Sequence, residues 1–266
     1  TSPLQYLITQ PYVILHYFVT FFWPTGLSAD SDWSVLASIS DARFFIGCVF
    51  ILAMLGIAVY TSKNVLLRPI CFGILWFFLA LIPTSSMIPL GEVLNDHRMF
   101  FPFGGLVISV SWALGLLVSK LVGNIALLTA KQKAVILLPV LILLCTCAYG
   151  TWKRNEVWHT EESLWYNVTL KSPKNGRGLM NYGIIKLDSG QYPEAEKYFN
   201  KAMNLLPTEA VVDINMGVVK EKAGDYTAAE NYLLQVIAMV ASDSSHFFVY
   251  GEFLYGVTRP SGAIAV

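Results

Sequence analysis

The chain has 266 residues, 55% of them apolar and 14% charged, with no net charge at neutral pH. A soluble domain carries about a quarter charged residues, so a wholly soluble globular protein is excluded, and the balanced charge gives no basic excess for a nucleic-acid binder. The charges are uneven: residues 1–150 hold 7 Lys/Arg and 5 Asp/Glu, whereas residues 151–266 hold 11 and 13. This predicts a multi-pass membrane domain over 1–154 and an ordinary soluble domain over 155–266. Thr1 is not followed by a charged region and a short apolar core, so no signal peptide is expected there, and the chain reads as a fragment of a longer protein.

In chain order, the first apolar run, Pro11–Trp23, covers about 13 residues and contains His16. At that length an interfacial or re-entrant helix over 5–24 fits better than a span. Tyr12, Tyr17, Trp23 and Pro24 suit the headgroup level. Four longer runs, about 44–61, 70–90, 101–122 and 134–151, each approach the ~20 apolar residues that a spanning helix needs. Lys63 and Arg68 follow the first of them, and Lys120, Lys131 and Lys133 precede the last, without acidic neighbours. The positive-inside rule makes those loops cytoplasmic and puts everything after the last span on the periplasmic or lumenal side. Cys48, Cys71, Cys145 and Cys147 lie in apolar runs, where a thiol packs as a small hydrophobe, and neither a metal site nor a disulfide is expected.

Between two predicted spans, residues 84–102 gather polar groups at a membrane surface. Arg98 stands where a helix re-enters the bilayer, and a guanidinium there can clamp a phosphate bidentately. Glu92, Asn95 and Asp96 could orient it or meet a polar substrate, and His97 adds an imidazole beside them. The same residues also suit a plainer arrangement, with Asp96 capping a helix, Arg98 snorkelling to lipid headgroups and His97 solvated. His16 and His159 are lone histidines whose default is packing or solvation. Asn167-Val168-Thr169 fits a glycosylation sequon that falls inside a predicted helix.

The second domain repeats every 34 residues: Gly183, Gly217 and Gly251; Gly190 and Gly224; Trp158, Tyr192 and Tyr226; Ala195 and Ala229; Trp165, Phe199 and Leu233; Val168, Ala202 and Val236; Pro173 and Pro207. Small residues let two helices approach, aromatics fill the gaps beside them and proline ends the second helix, as in a tetratricopeptide repeat. The period predicts a half-repeat over 156–173, repeats over 176–209 and 210–243, and an incomplete third from 244 that fails after Tyr255. First helices of such repeats line a groove, here Arg177, Met180, Ile184, Val211, Ile214 and Val218. A groove of this kind holds a protein or peptide; the plainer reading is a spacer.

The fold class expected is all-α, a polytopic membrane domain followed by a tetratricopeptide α-solenoid. A membrane domain ending in Ser85, Ser86 and Pro89, an acidic loop, then Arg98 and Pro102, followed at once by such repeats, resembles the transmembrane and tetratricopeptide-repeat-containing (TMTC-like) proteins. The Gln10–Trp33 stretch, with Trp23-Pro24 and Asp32-Trp33, resembles the block upstream of those spans. That family is similar to GT-C-type glycosyltransferases and includes protein O-mannosyltransferases. The resemblance implies transfer of a hexose such as mannose from a polyprenyl phosphate to protein hydroxyls, with the repeats holding the acceptor and no cofactor beyond the lipid-linked sugar. It places the catalytic carboxylate upstream of Thr1, so the fragment alone is expected to lack turnover. It puts Arg98, with His97, Asp96 and Glu92, at the donor phosphate. The family more usually shows Glu-Arg here, so His97 departs from the pattern. A non-catalytic membrane scaffold whose repeats recruit a protein is the alternative, and a polysaccharide ligase or export component fits the repeats less well.

Overall fold

The computed structural model describes residues 2–85, 92–123 and 127–239. They form ten α-helices and two short 3-10 turns, with no strand among the described residues, so the all-α expectation holds. The chain divides into two compact units, Thr1–Glu156 and Val157–Val266. The expected third repeat, with Gly251 and Tyr255, lies outside the described residues.

In the first unit, α1 (Pro3–Phe22) starts well before the apolar run. Ser2 and Gln5 form a reciprocal cap, with the Gln5 N–H donating to Ser2 Oγ at 3.1 Å, and Pro3 occupies the first turn. The helix carries a stripe of buried residues that includes Tyr6, Thr9, Gln10, Val13, Tyr17 and Thr20, all on one helical face. The polar members tie down distant backbone: Tyr6 Oη donates to the Thr84 carbonyl at 2.6 Å, and Thr9 Oγ1 accepts from the Leu36 N–H at 2.8 Å. Next comes α2 (Ala42–Ser62), capped by Asp41, which crosses α1 where Gly47 meets the Pro11 carbonyl; a Cβ at Gly47 would overlap that backbone.

After a 3-10 turn (Val65–Leu67), α3 (Arg68–Leu81) packs on α4 (Phe100–Val122) through glycine on both sides, Gly73 against the Gly105 carbonyl and the reverse. This small-residue contact is the means by which apolar helices associate when lipid removes the hydrophobic driving force. Ser109 Oγ donates to the Ile70 carbonyl at 2.9 Å and Trp112 Nε1 to the Leu66 carbonyl at 2.6 Å along the same seam. Val13 and Tyr17 of α1, Phe77 and Leu81 of α3, Leu94 and Met99 of the following loop, and Leu106 of α4 close one core.

Three of the four expected spans have helices long and apolar enough to cross a membrane: α2, α4 and α5 (Ala130–Val157). Of the span expected over 70–90, the described helix runs to Leu81, Val65–Leu81 is a shorter apolar segment, and residues 86–90 lie outside the described residues. Pro83 has no N–H to continue the ladder, and the Thr84 and Ser85 N–H groups both return to the Leu81 carbonyl, at 3.1 and 2.8 Å. No residue of α5 is buried, as expected of a helix whose solvent is lipid.

The second unit holds α6 (Glu161–Lys171), α7 (Gly176–Asp188), α8 (Tyr192–Leu205), α9 (Ala210–Lys222) and α10 (Tyr226–Met239). Helices α7 and α8 form one hairpin, α9 and α10 the next, and equivalent atoms recur at the 34-residue period. Gly190 and Gly224 follow α7 and α9 at φ 72° and 84°, the left-handed conformation that glycine adopts without strain. Gly183 lies against the Phe199 ring and Gly217 against Leu233. Lys186 Nζ meets Glu162 Oε1 at 2.8 Å, and Lys220 Nζ meets Glu196 Oε1 at 2.6 Å. The core of this unit includes Leu179, Phe199, Ala202, Val212, Met216 and Val219.

Candidate functional site

Asp96, His97 and Arg98 form the second 3-10 turn, directly before α4. Its two flanks are buried by Leu94 and Met99, and the Asn95 N–H donates to Tyr17 Oη of α1 at 2.7 Å. A 3-10 turn advances by a third of a circle per residue, so three successive side chains leave in three directions. Asp96 turns inward, and His97 and Arg98 are exposed. Arg98 forms no ion pair among the described residues.

Asp96 Oδ2 accepts from the Ser28 N–H at 3.4 Å, and Oδ1 stands 3.9 Å from His16 Nε2. Burial pushes the Asp96 carboxyl above its ordinary range, opposed by His16, the Ser28 N–H, Arg154 and His97 in that order. His16 is itself fixed: its Nε2 lies 3.3 Å from Thr20 Oγ1, and its ring is 4.7 Å from that of Trp33, which stacks on Tyr12 at 5.5 Å. Asn95 is only 5% exposed, and neither its Oδ1 nor its Nδ2 has a hydrogen-bond partner among the described residues. An unsatisfied buried amide costs ~1–3 kcal/mol. Glu92 is half-buried ahead of the turn.

The four residues expected at a donor phosphate therefore do not share one face. Arg98 and His97 point to the outside, Asp96 to α1. Residues that sequence reasoning left aside come into the cluster instead: His16, read as a lone histidine, with Tyr17, Ser28, Trp33 and Arg154. The signal for the α1 residues was present as a polar stripe, Thr9, Gln10, His16, Tyr17 and Thr20, inside a run read for its hydropathy. Among the described residues no group of His, Cys, Asp or Glu is arranged to hold a metal ion.

In the second unit, Arg177 and Val211 are exposed, and Met180, Ile184, Ile214 and Val218 are half-buried. All six lie on α7 and α9, apart from the fully buried Leu179, Val212, Met216 and Val219. Asp213 of α9 is buried, and that burial raises its carboxyl above the usual range. The Asn167 sequon sits within α6, where Thr169 Oγ1 donates to the Tyr166 carbonyl at 2.8 Å.

No protein-family profile matches the chain. Its sequence is similar to Protein O-mannosyl-transferase Tmtc3 of Drosophila melanogaster, 25% identical over 193 residues, 69% of this chain and 20% of the relative. Protein O-mannosyl-transferase Tmtc2 of the same organism is 28% identical over 141 residues, 52% of this chain and 14% of the relative. Mouse Protein O-mannosyl-transferase TMTC1 is 26% identical over 188 residues, 67% of this chain and 19% of the relative. The chain thus spans about a fifth or less of the length of these relatives. It is TMTC-like in sequence, and among the described residues it has three helices long and apolar enough to cross a membrane, as suits a membrane protein.

Proposed function

We propose that this chain is part of a membrane-embedded GT-C-like glycosyltransferase, in which Arg98 binds the phosphate of a polyprenyl-phosphate hexose, mannose by the names of its relatives. The observation that carries the reading is the state of Arg98, an exposed guanidinium without an ion pair among the described residues, at the mouth of an apolar helix. In such a transfer an acceptor hydroxyl oxygen bonds to the sugar's anomeric carbon as that carbon's bond to the phosphate oxygen breaks. The leaving polyprenyl phosphate gains charge, and a guanidinium forking its oxygens stabilises that charge more than the ground state. The hydroxyl proton goes to a carboxylate acting as general base. Exposed His97 can add a donor beside Arg98, and half-buried Glu92 can orient the pair.

The second unit is read as a tetratricopeptide solenoid that holds the protein acceptor along Arg177, Met180, Ile184, Val211, Ile214 and Val218. Support comes from the recurrence of the Gly183–Phe199 contact at Gly217–Leu233 and of the Lys186–Glu162 pair at Lys220–Glu196. The loops carrying Lys63, Arg68, Lys120, Lys131 and Lys133 are read as cytoplasmic, which puts the repeats on the periplasmic or lumenal side.

Arg98→Ala in the full-length protein tests the reading. Loss of one such charge-stabilising donor typically lowers turnover by about a hundredfold or more; that loss, at unchanged membrane abundance, is expected. Unaltered transfer would remove Arg98 from the site and leave a membrane scaffold that recruits a protein as the better reading.

A further inference from the structure

The chain contains two Asp-x-Arg tripeptides, each opening an apolar helix, and they are built differently. In Asp41-Ala42-Arg43, at the start of α2, the guanidinium closes on the carboxylate: Arg43 Nε donates to Asp41 Oδ1 at 3.0 Å and Nη2 to Oδ2 at 2.7 Å. An aspartate two residues ahead of an arginine in this setting therefore reaches it easily. In Asp96-His97-Arg98, just before α4, Asp96 Oδ2 instead accepts from the Ser28 N–H, Oδ1 stands 3.9 Å from His16 Nε2 without a hydrogen bond among the described residues, and Arg98 is left exposed. The 3-10 turn sends the Asp96 side chain toward α1, where His16 stands, whereas Asp41 caps its own helix. His16, braced by the Thr20 hydroxyl and the Trp33 ring, presents Nε2 to Asp96 Oδ1.

A tethered carboxylate beside a guanidinium competes with any external anion, because its effective concentration is that of an intramolecular partner. It also cancels the positive charge that attracts the anion. We propose that His16 is a positioning residue: it draws Asp96 toward α1, prevents the closure seen at Asp41–Arg43, and so keeps Arg98 open to the lipid phosphate. The inference rests on the reading of Arg98 as the phosphate-binding group.

The test is a double-mutant cycle on the full-length protein in membranes, with polyprenyl-phosphate mannose as the varied substrate. His16→Ala is expected to raise the donor KM about tenfold with kcat within about twofold, a loss of ground-state and transition-state binding together. Asp96→Asn alone should leave KM within about twofold, since a neutral amide competes poorly for Arg98. Adding Asp96→Asn to His16→Ala should return KM to within about twofold of the parent, because the competitor has been removed. A KM that His16→Ala does not change overturns the proposal. So does a raised KM that Asp96→Asn fails to restore, which would assign His16 a direct contact or a general packing role. Arg98→Ala separates the two readings: if it leaves KM and kcat unaltered, the phosphate site itself falls, and this inference with it; if it raises KM and the His16 cycle shows no coupling, only the role of His16 falls.

Discussion

Both units bring helices together on glycine, but glycine meets different things in the two. In the membrane unit Gly73, Gly105 and Gly47 face backbone: the carbonyls of Gly105, Gly73 and Pro11. In the second unit Gly183 faces the Phe199 ring and Gly217 the Leu233 side chain. Apolar side chains gain little by leaving lipid for a helix seam, so the membrane unit draws its association from close backbone contact. The charge-rich second unit gains from burying large side chains, and its glycines make room for them. A backbone cannot yield to an added methyl, whereas a side chain can rotate or shift.

Gly105→Ala should therefore be the most damaging of these changes. Its Cβ would strike the Gly73 carbonyl, and the expected loss is at the upper end of the ~1–3 kcal/mol typical of overpacking. Unfolding of the detergent-solubilised protein would measure it, and a neutral effect would mean that α3 and α4 are not held by this contact. Gly183→Ala should cost less, ~1–2 kcal/mol, since its Cβ would sit 2.7 Å from an aromatic carbon that has only limited freedom to move. Gly217→Ala, 3.1 Å from Leu233, should cost under ~1 kcal/mol. Thermal melts of the two variants should rank in that order; the reverse order would break the comparison.

The smallest effect expected is one of pH. Burial raises the Asp96 carboxyl above its unfolded value of about 4. A raised carboxyl favours the folded state while protonated, so its contribution is full below the unfolded value and is lost as pH rises through the folded one. Measured from about pH 4 to about pH 8, the parent should lose stability relative to Asp96→Asn, which does not ionise. A constant difference would mean that Asp96 is as well solvated folded as unfolded.

What the sequence reveals follows from how far apart the interacting residues lie. The 34-residue period is legible because every hairpin imposes the same demand at the same place, as at Gly183 and Gly217. Three long apolar helices are legible because lipid asks only for length and hydropathy. The end of α3 is written in Pro83, but the apolar residues beyond it continue the hydropathy run and conceal the stop. The cap that starts α1 at Pro3 rests on Ser2 and Gln5, polar residues that a search for apolar runs passes over. The candidate site was half legible. Asp96, His97 and Arg98 stand out as charge at a membrane surface, yet the direction each side chain takes depends on the 3-10 turn. The approach of His16 to Asp96 joins residues 80 positions apart and has no local signature.

The two lysine–glutamate ties of the second unit each join residues 24 positions apart, and the ties themselves are offset by 34. Any excision of thirty-four consecutive residues between Glu162 and Lys220 removes Lys186 and Glu196 together and leaves Glu162 and Lys220 separated by the same 24 positions. The tie would re-form across the junction. Removal of a whole 34-residue unit would therefore keep these charges in pairing register.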